Sequence, residues 1–206
     1  MTAFTDLAAI VLAAGFSRRM GGENKLLKPL AGRPLIGHAL ENVGALGLGQ
    51  LVVVLGRSSE AVAPLLPPFA TVARNARAGE GMGTSLAAGA TMLDRSLAGA
   101  FVVLGDMPFV ARTDYEALAS AFRSEGGEAI CIPVHDGRRG HPVLFPAQHF
   151  PALARCEGDS GARHILADPS TRLREVENCS PGVLLDFDDP ASFAAYTADH
   201  LPENGE

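Results

Sequence analysis

The chain has few cysteines, no long apolar run and no excess of positive charge. Its three cysteines, Cys131, Cys156 and Cys179, are odd in number, far apart and in no C-x-x-C pair. Neither a disulfide framework nor a thiolate zinc site is expected from them. No apolar stretch reaches the ~18 residues of a membrane-spanning helix. No N-terminal segment joins a basic region to a signal-length apolar run, so a cytoplasmic protein without membrane partners is the expectation. Lys and Arg number 17 against 23 Asp and Glu, for a net charge of −6. That balance argues against nucleic-acid binding. Two common phosphate-binding signatures are also missing. No G-x-G-x-x-G opens the chain, and Lys25 is not followed by Ser or Thr as a Walker A lysine is.

What is present is ordinary for a globular protein: 47% apolar and 19% charged residues over 206 positions. One domain, 1–206, is long enough to bury a core, with a tail at 202–206 that should fray. With so few cations, phosphate handling requires that they be concentrated. Residues 9–25, AIVLAAGFSRRMGGENK, do this. The apolar run 7–12 reads as a buried strand. Ala13, Ala14 and Gly15 then let a flat ligand lie close to the backbone. Ser17 and its neighbouring N–H groups can donate hydrogen bonds, while Arg18, Arg19 and Lys25 add positive charge. Backbone donors plus cations at the carboxyl end of a strand make a polyphosphate site.

Further on, strand-like runs at 51–55, 71–73, 101–104, 129–133, 142–145, 172–176 and 183–187 alternate with helical patterns. The helices are expected at 34–46, 58–66, 84–93, 113–122, 147–155, 160–166 and 191–200, with Thr113 as an N-cap. This alternation predicts an α/β domain, a Rossmann-like three-layer fold around a mostly parallel sheet. Ligands in such sheets bind beyond the carboxyl ends of the strands.

Four more stretches carry candidate chemistry. Gly105-Asp106-Met107-Pro108 follows a strand; its carboxylate suits Mg²⁺ beside a polyphosphate, although an Asp before a Pro turn is also a common structural choice. Asp186-Phe187-Asp188-Asp189-Pro190 places Asp186 and Asp188 on one face if extended, and Asp189 can cap the closing helix. Asn75 with Gly79–Leu86, rich in glycine, reads as a capped helix start or as backbone facing a ligand. Arg138–Phe145 sets Arg138, Arg139 and Gly140 beside His141 in a loop between strands, as an acceptor-phosphate cradle would; Gly158–Arg163 reads as a loop into a helix, with Asp159 or Ser160 able to be a plain cap.

The pattern L-A-A-G-x-S-x-R-M-G followed by Lys25, together with G-D-M-P, resembles the molybdopterin nucleotidyltransferases of the MobA-like NTP transferase superfamily. The segments G-H-P-V-L-F and G-D-S-G-A-R resemble the cytidylyl-transferring subgroup, and so does L-A-A-G where guanylyl-transferring relatives usually carry L-A-G-G. The resemblance spans residues 9–190. It implies transfer of CMP from CTP to the terminal phosphate of molybdopterin or molybdenum cofactor, with pyrophosphate leaving. It implies Mg²⁺ on Asp106 and Asp188, with Asp186 as the substitute for the latter. Asp189 stands where the family's D-x-D-T-P has Thr, which puts that metal role in doubt. Lys25, Arg19 and Asp106 become the catalytic residues. Leu12, Ala13, Ala14, Gly15, Ser17, Arg19, Lys25, Asn75, Gly81, Gly83 and Ser85 become the nucleotide site, and His141, Arg139, Asp159 and Arg163 the acceptor site. Client molybdoenzymes are the implied partners. The rival readings are a same-fold transferase using GTP or another acceptor, such as a sugar 1-phosphate or methylerythritol phosphate, and a non-catalytic cofactor chaperone.

Overall fold

The computed structural model describes residues 4–15, 24–56 and 59–187. In chain order the strands and α-helices are β1 (Phe4–Ala13), β2 (Pro29–Leu30), β3 (Arg33–Pro34), α1 (Leu35–Gly44), β4 (Leu48–Leu55), α2 (Ser59–Val62), β5 (Thr71–Arg74), α3 (Met82–Ala90), β6 (Gly99–Leu104), α4 (Arg112–Ser124), β7 (Ile130–His135), β8 (Arg138–Arg139), β9 (Val143–Pro146), α5 (Phe150–Leu153), α6 (Arg163–Leu166) and β10 (Leu173–Val176). The main sheet runs β10-β7-β9-β6-β1-β4-β5, with β8 pairing off β7. Pairs β1–β4, β1–β6, β4–β5 and β7–β10 are parallel, whereas β9 lies antiparallel between β6 and β7.

Strand β1 sits at the centre because it is apolar on both faces, as a parallel strand covered by helices must be. Successive side chains alternate between the two faces. Ala9, Val11 and Ala13 enter the layer that holds Leu40 and Val43 of α1 and Tyr115 and Leu118 of α4. Ala8 and Ile10 enter the opposite layer, with Leu86 and Ala90 of α3 and Phe150 and Leu153 of α5. The result is the expected helix–sheet–helix stack. All three cysteines are buried free thiols, and burial pushes the Cys131 thiol up to about 11.

Several local expectations are corrected. Helix α4 begins one residue before Thr113, and Ala111 is its N-cap. The capping contact comes from Asp114, whose carboxylate accepts from the Ala111 N–H at 2.9 Å. Of 160–166 only α6 is helical, because Gly161 sits at φ +54°. Of 147–155 the first turn is 3-10, Ala147–His149, ahead of α5. Residues 183–187 form no strand. Pro181–Leu184 is a 3-10 turn, and the Val183 carbonyl is taken by the His141 N–H at 2.9 Å. The helix expected at 191–200, the Asp189 cap and the 202–206 tail lie outside the described residues.

Candidate functional site

Strands β1 and β6 are neighbours in register, Leu12 beside Leu104, so the loops leaving them emerge side by side. The Gly105 N–H donates to the Leu12 carbonyl at 3.1 Å, which aims Asp106 at the space beyond Ala14 and Gly15. Lys25 opens the 3-10 turn Lys25–Leu27, which Asn24 caps by accepting from the Leu26 N–H at 3.1 Å. From there its Nζ reaches Asp106 Oδ2 at 2.5 Å, with both side chains 15% exposed. Asp186 borders the same 340 Å³ cavity, and the Phe187 N–H donates to the Asp106 carbonyl at 3.3 Å. Leu12, Ala14, Gly15, Gly81 and Ser85 also line it. Ala13 instead points into the core layer of α1 and α4.

Asn75 lies beneath this cavity. Its amide nitrogen donates to Thr84 Oγ1 and Ser85 Oγ, both at 2.9 Å, and its oxygen accepts from the Arg77 N–H at 2.9 Å. The residue holds the turn that carries Gly81 and Ser85 in place. Gly81 has φ +122°, and a Cβ there would strike the Gly158 backbone. A Cβ on Gly83 would lie 2.5 Å from the Glu157 carbonyl oxygen. Only glycine permits this contact, which is closed by a hydrogen bond from Gly83 N to Gly158 O at 2.7 Å. The start of α3 and the loop before α6 are thereby clasped together.

A second cavity of 230 Å³ opens on the far side of that clasp, and Leu12, Met82, Leu104 and Asp159 border both spaces. Its walls are Leu86, Val102, Ile132, Val143, Phe145 and Leu166, with Arg139, His141 and Arg163 among its polar groups. Arg139 is paired to Glu175 at 2.6 Å. Burial holds the His141 imidazole below the ordinary histidine value, against weaker upward pulls from the Val102 carbonyl and the Asp106 charge. The ring is therefore neutral at pH 7. Among the described residues, His141 Nδ1 is the one buried side-chain nitrogen or oxygen without a hydrogen-bond partner.

Of the residues singled out from sequence, the structure gathers Leu12, Ala14, Gly15, Lys25, Gly81, Ser85, Asp106, Asp159 and Asp186 at the first cavity, and Arg139, His141, Asp159 and Arg163 at the second. Ser17, Arg19 and Asp188 lie outside the described residues. Sequence reasoning missed the apolar wall and Asp114. Asp114 is 2% exposed; its carboxylate accepts from the Ser180 N–H at 2.8 Å and from Ser180 Oγ at 2.7 Å. It thus anchors the segment that leads to Asp186. A carboxylate three residues after an N-cap was the available signal.

The donor chemistry fits a divalent cation. Asp106 already has a cation, the Lys25 ammonium, on its carboxylate, and Asp186 is close by. Among the described residues no group of three or more His, Cys, Asp or Glu could enclose a metal. Two carboxylates bordering one cavity can serve a divalent cation that completes its shell with phosphate oxygens and water.

The three-layer α/β architecture is a nucleotidyltransferase-type fold: a nucleotidyl transferase from Methanothermobacter superposes with a TM-score of 0.75 at 22% identity, over 94% of this chain and 96% of that one. Residues 9–176 match the MobA-like NTP transferase domain, and the chain belongs to that family. It is 35% identical over 189 residues to the bifunctional protein GlmU of Paramagnetospirillum magneticum, covering 88% of this chain but 39% of that protein's length. It is 33% identical over 172 residues to nicotine blue oxidoreductase of Paenarthrobacter nicotinovorans, covering 79% and 83%. A homologue of Rv0371c from Mycobacterium sp. strain JC1 superposes with a TM-score of 0.82 at 26% identity, over 95% and 96%. Rv0371c of Mycobacterium tuberculosis itself has been solved in complex with manganese, with a TM-score of 0.72 at 26% identity over 94% and 98%. No helix among the described residues is long and apolar enough to cross a membrane.

Proposed function

We propose that the protein transfers CMP from CTP to the terminal phosphate of molybdopterin or molybdenum cofactor, releasing pyrophosphate. The observation that carries this reading is the Lys25–Asp106 pair facing one cavity at the ends of β1 and β6, with a second cavity sharing its wall. CTP lies in the first cavity with its base near Ala14 and Ser85. The acceptor lies in the second with its phosphate directed past Asp159. The acceptor phosphate is already an anion at pH 7, so its attack on the α-phosphorus needs no general base. Catalysis is then positioning and charge compensation. Lys25, with Arg19, holds the triphosphate and neutralises charge growing on the leaving oxygens. Asp106, with Asp186 or Asp188, holds Mg²⁺. When bound, the metal supplies further compensation of phosphate charge. That Rv0371c has been solved in complex with manganese supports a divalent ion.

The base preference is read from Ala14. Its methyl borders the nucleotide cavity and narrows it relative to glycine, which favours a pyrimidine. The test is an acceptor panel with labelled CTP: molybdopterin, N-acetylglucosamine 1-phosphate and methylerythritol phosphate. Label on molybdopterin alone supports the reading. Label on a sugar 1-phosphate moves the protein to a same-fold transferase of different acceptor, and label on none of the three removes the transferase assignment.

A further inference from the structure

Asp114 is a buried carboxylate that the proposed reaction does not use. It accepts hydrogen bonds from two parts of the chain: from the Ala111 N–H at the start of α4, and from the Ser180 N–H and hydroxyl. A helix cap needs only the first. The other two tie down a segment, 180–187, that crosses the loops after β6 and before β9. Its first turn, Pro181–Leu184, is 3-10 and closely fitted. A Cβ on Gly182 would strike the Phe109 carbonyl, and one on Gly140 would strike the Val183 carbonyl. At the far end Phe187 is buried with Leu30, Leu35 and Phe109, and its N–H donates to the Asp106 carbonyl at 3.3 Å. Between these fixed points Leu185 and Asp186 are exposed. Asp186 is thus carried on a short span held at both ends, and Asp114 holds one of them.

We propose that Asp114 is a positioning residue: acting through Ser180, it sets the Asp186 carboxylate at the nucleotide cavity in the place a divalent cation requires. This rests on the reading of Asp186 as the partner of Asp106 on the metal. A cation shared by two carboxylates needs both at one separation. A ligand on an untied span would lose conformational freedom when the metal arrives, and affinity would fall by that cost. A carboxylate suits the anchor, because hydrogen bonds to an ionised acceptor are roughly twice as strong as neutral ones. An asparagine would offer these donors one acceptor oxygen in place of two. The two sides of Asp114 can be cut separately. Ser180→Ala removes the hydroxyl that donates to Oδ2 and leaves α4 capped. Ala111→Pro removes the cap-side N–H at a φ of −77° that proline accepts, and leaves the Ser180 side intact. Comparing them separates positioning of Asp186 from plain stability.

The experiment uses the full chain with Mn²⁺ alone as the probe, followed by electron paramagnetic resonance. The expected result is saturable Mn²⁺ binding that weakens about tenfold in Ser180→Ala, the lower end of what supporting residues around a metal contribute. Ser180→Thr, which restores the hydroxyl, should bind as the wild type does, and so should Ala111→Pro. Asp186→Asn should weaken binding as well. Adding Ser180→Ala to Asp186→Asn should then change nothing further, because the anchor acts through that carboxylate. Wild-type Mn²⁺ affinity in Ser180→Ala or in Asp186→Asn, an equal loss in Ala111→Pro, a further loss in the double variant, or no Mn²⁺ binding to the wild type overturns the proposal. Molybdopterin turnover combined with Mn²⁺ affinity indifferent to Ser180 overturns this inference and leaves the proposed reaction standing. Mn²⁺ binding that depends on Ser180 and Asp186, without nucleotidyl transfer to molybdopterin, upholds this inference and removes the reaction.

Discussion

The Lys25 ammonium, at the start of the 3-10 turn Lys25–Leu27, rests on the carboxylate of Asp106 just after β6, Nζ to Oδ2 at 2.5 Å. The proposed reaction gives the two opposite roles toward a nucleoside triphosphate, Lys25 for phosphate and Asp106 for metal, and they are in contact with each other. On that proposal Lys25 is a competitor of the metal for the Asp106 carboxylate. In the proposed reaction Asp106 would hold the metal and Lys25 a phosphate, so binding of a metal–nucleotide complex would separate the pair.

Removing the competitor should separate the two functions. In Lys25→Met, with no nucleotide present, Mn²⁺ affinity measured by electron paramagnetic resonance should rise about tenfold, because an exposed carboxylate no longer has to exchange an ammonium for the metal, roughly the 1.4 kcal/mol that a tenfold change represents. Turnover should fall by at least ~10²-fold, the usual consequence of losing one aimed charge. Unchanged metal affinity would mean that Asp106 is not the ligand Lys25 guards.

Nucleotide choice should respond to one methyl. Ala14→Gly widens the cavity that Ala14 borders and should admit GTP better. The shift in the CTP/GTP ratio of kcat/KM should be modest, since a methyl contributes about 1–3 kcal/mol to discrimination. The ratio is measured for both proteins with one fixed acceptor. If it does not move, base selection lies elsewhere, with the turn that Asn75 supports as the next candidate.

The glycine clasp should be fragile. Gly81→Ala puts a Cβ into the Gly158 backbone at a φ of +122° that alanine resists. A loss of about 1–3 kcal/mol is expected. A domain of this size loses about 2–4 °C of melting temperature per kcal/mol. Because the clasp divides the two cavities, binding of both substrates should weaken together. A variant that melts like the wild type would show that the two loops are not held against each other.

Stability should fall in mild acid, in part through His141. Its imidazole is held below the ordinary histidine value of 6.5 by burial. As pH falls through that value the unfolded chain takes up the proton first, so the unfolded state binds more protons and stability drops. His149, lowered by the same cause, adds to the effect. The melting temperature of His141→Leu should vary less than that of the wild type between about pH 7 and 5, the range where a histidine titrates. An identical slope would mean that His141 titrates freely in the folded protein.

Much of the fold was legible because the signals are local. The apolar run of β1 and the small residues after it predict a buried strand and a ligand loop, and Asp106 follows β6 directly. The parallel sheet followed from the alternation of strand and helix patterns. What was not legible depends on contacts between distant segments. Val183 and its neighbours look like a strand, yet Pro181 turns the chain and the His141 N–H takes the carbonyl that a ladder would need. Asn75 reads as a ligand residue until its amide is seen spent on Thr84, Ser85 and Arg77. Val102, Val143 and Phe145 read as core. Their position on the wall of a cavity depends on β9 inserting antiparallel beside β6, which no spacing in the sequence announces.

The most direct test of the central claim is pyrophosphate release in the presence of Mg²⁺ and molybdopterin, measured with CTP, GTP, UTP and ATP in turn, for the wild type and for Asp106→Asn. The account predicts release with CTP well above the other three, dependent on molybdopterin and lost in Asp106→Asn. Release with GTP in preference to CTP would contradict the cytidylyl assignment, and release by Asp106→Asn at the wild-type rate would contradict the site itself.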